Sequence, residues 1–237
     1  MPPTKSELRD SFVEDIQRIY NLYYSLSKHA TNSETLVLAE QTVVSMTVSV
    51  ESFISEILVT LISEDSKLFL TNQSQEMKNT LLKAGYSHLK VQYLANENPK
   101  RLKTEELREF ILDDGDNLAF PETRKLREFV NKNLPKGLAF TVTDDDEVFI
   151  DLLKSTRNLC AHHSQKAART LNGMQKNYFH NPKIKEAEVC RALVQEEDIT
   201  VKSLGDYLKK DLSDLGCKNR IEFICNYLRD MVFRWIR

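Results

Sequence analysis

Residues 33–63 read SETLVLAEQTVVSMTVSVESFISEILVTLIS, and the fold class turns on that stretch. Leu36, Val43, Val50 and Ile57 recur every seven residues, with Ala39, Met46 and Phe53 between them. Apolar residues at that period form the seam of a helix packed lengthwise against its neighbours. A shorter window suggests a strand, because Val44, Met46, Val48 and Val50 alternate with Ser45, Thr47 and Ser49. The heptad extends beyond the alternation in both directions, so the whole stretch is read as one long helix.

Outward from it, the same period recurs. Residues 5–30 place Leu8, Phe12, Ile16, Ile19, Tyr20, Tyr23 and Tyr24 on one stripe. Helices are expected over 74–95, 103–113 and 121–133, the last two separated by Asp113-Asp114-Gly115-Asp116. Pro135 and Gly137 break the pattern. Asp144 then reads as the N-cap of a helix to about residue 163, with Glu147 as its capping-box partner. Residues 171–185 read as a loop. Helices follow over 186–196, 202–214 and 218–236, the last carrying Ile221, Ile224, Leu228, Met231, Val232 and Trp235 at helical spacing. Six glycines and six prolines in 237 residues leave little turn material for a β architecture. The expected fold is all-α, in a single domain over 1–237.

The composition excludes several classes. Hydrophobic residues make up 41% and charged residues 29%, the balance of an ordinary globular chain. Cys160, Cys190, Cys217 and Cys225 form no CxxC pair and read as reduced thiols. The first ten residues lack the apolar stretch of a signal peptide, and no run of about 20 apolar residues is seen. A cytoplasmic protein with no membrane partner is expected.

Net charge is −2, but its distribution is uneven. From Leu152 to Lys185 there is no Asp or Glu. That segment holds Lys154, Arg157, Lys166, Arg169, Lys176, Lys183 and Lys185, leaving 26 basic against 35 acidic residues elsewhere. A protein acidic overall and basic in one place steers a phosphate backbone to that place.

Inside this segment lies Arg157-Asn158-Leu159-Cys160-Ala161-His162-His163. Arginine offers a phosphate a permanently charged fork of donors. Histidine exchanges a proton near neutral pH. On a wheel of 100° per residue, Phe149, Leu152, Leu153, Thr156, Leu159 and Cys160 gather on the buried side. His162 lies roughly 125° from its centre and His163 about 25°. His162 should therefore point outward and His163 inward, as a core or supporting histidine. Arg157 sits on the flank, and Asn158 shares a face with His162 four residues on.

The string resembles the signature of the HEPN superfamily, Arg-(four to six residues)-His, often with Asn directly after the Arg. Arg157, Asn158 and His162 match it with four intervening residues. The resemblance implies a HEPN-like helical bundle over about 5–170; it leaves about 186–237 unexplained, open to reading as an added helical layer or as a partner surface. It further implies a metal-independent ribonuclease, without a cofactor, whose two motifs meet at a homodimer interface. His162 would act as acid or base, Arg157 would stabilise phosphorane charge, and Asn158 would orient the histidine or the phosphate. Lys154, Lys166, Arg169 and Lys176 would hold flanking phosphates of RNA. The family pattern also implies an acidic residue facing the motif arginine from an earlier helix. Glu51 is the candidate, with Glu40 and Glu56 as competitors. A toxin or defence role, with an antitoxin or regulatory protein as partner, is what the resemblance implies for a free-standing member. In one toxin branch a tyrosine lies two residues after the motif histidine; here that position is Ser164, so that form of regulation is not expected.

Two rival readings stand beside this one. Cys160, His162, His163, His180 and Cys190 carry zinc-binding atoms, but their spacing fits no closed pattern and their wheel positions diverge, so no metal is expected. The other rival is a non-catalytic HEPN-like module that binds RNA or protein. Members of that kind tend to lack the Arg or the His, and both are present here. Tyr178 and Phe179 are open to two readings, base stacking or pinning of their own loop.

Overall fold

The computed structural model describes residues 3–86, 107–108, 120, 122–194 and 203–237. Among them are nine α-helices and no strand. They are α1 Lys5–Ser27, α2 Asn32–Glu64, α3 Lys67–Lys83, α4 Thr123–Asn133 and α5 Asp144–His162. After the motif come α6 Gln165–Phe179, α7 Glu188–Leu193, α8 Leu204–Leu208 and α9 Arg220–Trp235. A short 3₁₀ turn, Ser213–Leu215, precedes α9. The fold is all-α.

α2 is a helix throughout, as the heptad requires. Ala39, Val43, Met46, Val50, Phe53 and Ile57 are all buried. The alternating window is satisfied within the helix: the Thr47 hydroxyl donates to the Val43 carbonyl at 2.7 Å and that of Ser45 to Gln41 at 2.9 Å. One expectation is corrected. α2 is long and apolar enough to cross a membrane by length and composition, and 61% of its most apolar window is buried inside the protein. Burial of that kind is what a core helix shows.

The chain divides into two compact units, residues 1–8 with 54–140 and residues 9–53 with 141–237. In the first, α3 packs on α4, and Phe69, Leu126, Val130 and Leu134 are buried. The Asn72 amide donates to the Lys132 carbonyl at 2.5 Å. α3 begins at Lys67, seven residues before the expected start, and ends at Lys83. Most of the expected helix over 103–113 lies outside the described residues, as does 87–95.

In the second unit α5 is central. α6, α7 and α8 pack on it, and α9 packs on α7 and α8. The loop expected over 171–185 is corrected, since α6 continues to Phe179 and only the residues beyond it form turns. Ser164 caps it, accepting from the Ala167 amide at 3.2 Å. Leu171 and Gln175 are buried four residues apart, which gives α6 an inward edge. Gly173, which favoured the loop reading, has nothing within 4 Å of where a Cβ would stand. The roughly 1 kcal/mol that a mid-helix glycine costs is outweighed by packing. The helix expected over 202–214 is also shorter, closing at Leu208 before the 3₁₀ turn.

Arg220 fixes the C-terminal elements. It is fully buried; its Nε donates to the Ala192 carbonyl and its Nη1 to that of Tyr207, both at 2.7 Å. Its guanidinium lies 4.0 Å from the centre of the Tyr207 ring, and the Tyr207 hydroxyl donates to the Leu193 carbonyl at 2.6 Å. These contacts satisfy carbonyls at the ends of α7 and α8 that have no partner inside their own helices. Gly205 brings α8 against α2, since a Cβ there would overlap the Leu36 side chain.

Candidate functional site

α5 is capped one residue earlier than expected. Thr143, not Asp144, is the N-cap, and Asp146, not Glu147, is its box partner. The Thr143 hydroxyl accepts from the Asp146 amide at 3.1 Å, and Asp146 Oδ2 accepts from the Thr143 amide at 3.0 Å. Four consecutive acids left the register ambiguous; the tertiary partners of Asp146 resolve it. Its carboxylate is fully buried and also accepts from Tyr227 Oη at 3.0 Å, Arg234 Nη2 at 2.6 Å and Trp235 Nε1 at 3.1 Å. Of the four donors on this buried carboxylate, three come from α9 and tie the start of α5 to it. In a run of four acids at a helix N-terminus, residue order alone does not single out Asp146.

From this anchor, the expected buried face forms. Phe149, Leu152, Leu153, Thr156, Leu159 and Cys160 are all buried. Their burial turns Arg157 to the flank, where it is half-buried. Arg157 Nη2 donates to Glu51 Oε2 at 3.1 Å, and Nη1 to Asn158 Oδ1 at 3.0 Å. The side-chain exposures of the ion pair are 29% for Arg157 and 25% for Glu51. Glu51, rather than Glu40 or Glu56, is therefore the carboxylate on the arginine. Glu56 instead pairs with Arg108.

His162 is the last residue of α5 and is exposed. His163 departs from the expected inward position. It is the C-cap, in the left-handed conformation with φ 44°, and its side chain is 67% exposed. A helical wheel places a side chain only while the backbone stays helical, and at His163 it no longer does. Its amide still donates to the Leu159 carbonyl at 2.9 Å, and its Nε2 lies 3.8 Å from Glu40 Oε2. The residue thus closes the helix and leans on α2 from the outside.

The basic residues separate into two groups. Lys166, Arg169 and Lys176 are exposed on α6. Spaced three and seven apart, with Gly173 between the last two, they share one stripe, opposite buried Leu171 and Gln175. Lys154 does not belong with them. It is half-buried near Glu51 and Asp151, and burial lowers its ammonium pKa. Tyr178 is half-buried and hydrogen-bonds to Asp151; burial and that carboxylate raise its hydroxyl pKa. It pins α6 to α5. Phe179 is exposed and packs edge-on against His180.

Burial pushes the Cys160 thiol up to about 12, with the Glu40 carboxylate adding to the effect, so the thiol is a core group and not a nucleophile. Among the described residues, no three His, Cys, Asp or Glu side chains are placed to hold a metal ion. The chain matches no family model, no curated protein and no solved structure.

Proposed function

We propose that the protein is a metal-independent endoribonuclease of the HEPN type that cuts single-stranded RNA as a homodimer. The observation that carries this reading is the arrangement at the end of α5. A half-buried guanidinium is held by Glu51 and Asn158 one turn from an exposed imidazole, within a segment free of acids.

The chemistry follows from those groups. One His162 takes the proton of a ribose 2′-OH as its oxygen attacks the adjacent phosphorus. The P–O5′ bond breaks, and the leaving oxygen takes a proton from a second histidine. The products are a 2′,3′-cyclic phosphate and a 5′-hydroxyl. Arg157 stabilises the charge on the phosphorane, and its preset position avoids reorganisation at the moment of reaction. Holding Arg157 on two acceptors costs little here because a guanidinium has five donors. The exposed cations on α6 would hold flanking phosphates.

An in-line displacement calls for proton transfer on both sides of the phosphorus, and one motif supplies one such histidine. A second copy supplies the other. Val37 and Val48 on α2 are 57% and 44% exposed, with half-buried Val44 between them. These valines form a stripe at helical spacing, next to Glu40 and Glu51, the two residues that touch the motif. An exposed apolar stripe bordering the motif suits a two-fold contact that brings two motifs together.

The test is a labelled single-stranded RNA incubated with the protein in excess EDTA, with end-group analysis and light scattering alongside. Cutting that survives EDTA, yields cyclic phosphate ends and disappears in His162→Ala is expected from a dimer. Binding without cutting in both proteins would leave a non-catalytic RNA-binding module. A role as toxin or defence effector, restrained by a partner protein, is the biological setting we propose for such an activity.

A further inference from the structure

A cleft in the second unit plays no part in the chemistry above. It lies where α6 ends and encloses about 760 Å³, within the ~300–1,000 Å³ of small-molecule sites. Its lining includes Phe179, Pro182, Cys190 and Val194. Burial pushes the Cys190 thiol up to about 11, so this residue contributes surface and not reactivity. The lining also carries Lys185, Arg191, Lys210 and His180. Two carboxylates, Glu186 and Asp214, complete the rim, and Glu186 lies 3.7 Å from Lys185. Aromatic and apolar surface and cations in one cleft, with carboxylates able to accept from amino or hydroxyl groups, make up the chemistry of a nucleotide site.

The cleft is also joined to the motif by a single helix. α6 begins two residues after His163 and ends at Phe179. Its 15 residues span about 22 Å at 1.5 Å per residue. The stripe of Lys166, Arg169 and Lys176 runs along that length on the exposed side. Gly173 interrupts it with open space where a side chain would stand, so a backbone can approach the helix closely there. At ~3.4 Å per nucleotide in one stacked strand, the path accommodates about six nucleotides.

We propose that single-stranded RNA lies along α6 and that the cleft seats one of its nucleotides, about six positions from the scissile phosphate. Its base lies against Phe179 and Pro182, and its phosphate meets Arg191 and Lys210. The proposal rests on the ribonuclease reading for what occupies the motif end of the path; the cleft's own chemistry is independent of it. It assigns α7 and the segment after α8 a role in holding substrate, with buried Arg220 bonded to the ends of both helices.

The experiment measures binding in the His162→Ala protein, so that no strand is cut, using 5′-labelled 12-nucleotide and trinucleotide RNAs. The double variant Arg191→Ala/Lys210→Ala is expected to lose at least tenfold more affinity for the 12-mer than for the trinucleotide, which cannot span the path. The log–log salt slope for the 12-mer should fall by about 1.4, two phosphate contacts at ~0.7 each for a single strand. The exchange Arg191→Lys/Lys210→Arg should restore most of the affinity. A 12-mer carrying 4-thiouridine six positions from the motif end should crosslink to Phe179 in the protein with both cations intact. Equal losses for both lengths, no loss at all, or crosslinks confined to α5 would overturn the proposal. Adenosine 5′-monophosphate binding as tightly as the 12-mer would also overturn it, assigning the cleft to free nucleotides. A protein that cuts no RNA yet shows the length-dependent loss retains the cleft and loses the nuclease.

Discussion

The two ends of α5 are built from the same kinds of groups and arranged for opposite purposes. At its start, Asp146 is fully buried and receives four donors, from Thr143, Tyr227, Arg234 and Trp235. At its end, Arg157 is half-buried with two acceptors, and His162 stands in solvent. A buried charge is tolerated only when it is paired and hydrogen-bonded, so the first end is fully satisfied and rigid. The second keeps donor capacity and an open ring, which is what a substrate phosphate needs. One helix thus carries its anchor and its chemistry about 24 Å apart at 1.5 Å per residue, and each can be disturbed without the other.

The largest effect should come from the open end. His162→Ala is expected to lower RNA cutting by roughly 10²–10⁴-fold while leaving thermal unfolding unchanged; a variant that melts early would show the two ends to be coupled. At the closed end, Asp146→Ala should cost about 2–4 kcal/mol of stability, measured by urea unfolding, because the helix loses its cap and the buried Trp235 Nε1 loses its acceptor. A loss no larger than that of an exposed aspartate would break the contrast.

Alkaline pH probes the buried thiols around the helix. Burial pushes Cys190 and Cys225 up to about 11 and Cys160 to about 12, from 9.0 for an unperturbed thiol. A pKa raised by folding adds stability that is complete below pH 9 and is lost as pH rises through the folded values. Stability should therefore decline between pH 9 and about 12 in the reduced protein, and the cysteine-to-serine variant at 225 should flatten that decline. Flat stability across the window would mean that the thiols are in water.

Smaller effects refine the open end. Glu51→Ala removes the carboxylate from Arg157; because the pair is more than a quarter exposed on the arginine side, it should cost about 1 kcal/mol or less. Cutting should fall further than stability does, and Glu51→Gln, which keeps an acceptor oxygen, should recover part of it. Gly173→Ala is expected to stabilise α6 by about 0.4–1 kcal/mol, since the added methyl meets open space. Destabilisation there would mean that α6 is not a regular helix at that position.

Much of this was legible in residue order. Period seven in α2, the apolar face of α5, and the outward placement of His162 follow from helical geometry acting on local spacing. Glu51 is a candidate only because the HEPN resemblance implies an acid facing the motif arginine; spacing alone does not single it out from Glu40 and Glu56. Where the helix backbone stops, the same geometry fails, as His163 shows. The reading of 171–185 as loop failed for a related reason: glycine and asparagine weaken a helix locally, and packing of Leu171 and Gln175 overrode them.

The sequence by itself determined that the protein is helical, where its motif helix lies and that His162 on it faces solvent, because side chains three and four apart share a face whatever the rest of the chain does. Only the tertiary structure decided that Asp146 and not Glu147 closes the cap, that Lys154 is withdrawn among carboxylates, and that Phe179, Arg191 and Lys210 line one cleft. Those outcomes depend on which groups meet across long stretches of chain. Burial then selects among local alternatives of nearly equal energy, and no local pattern records that choice.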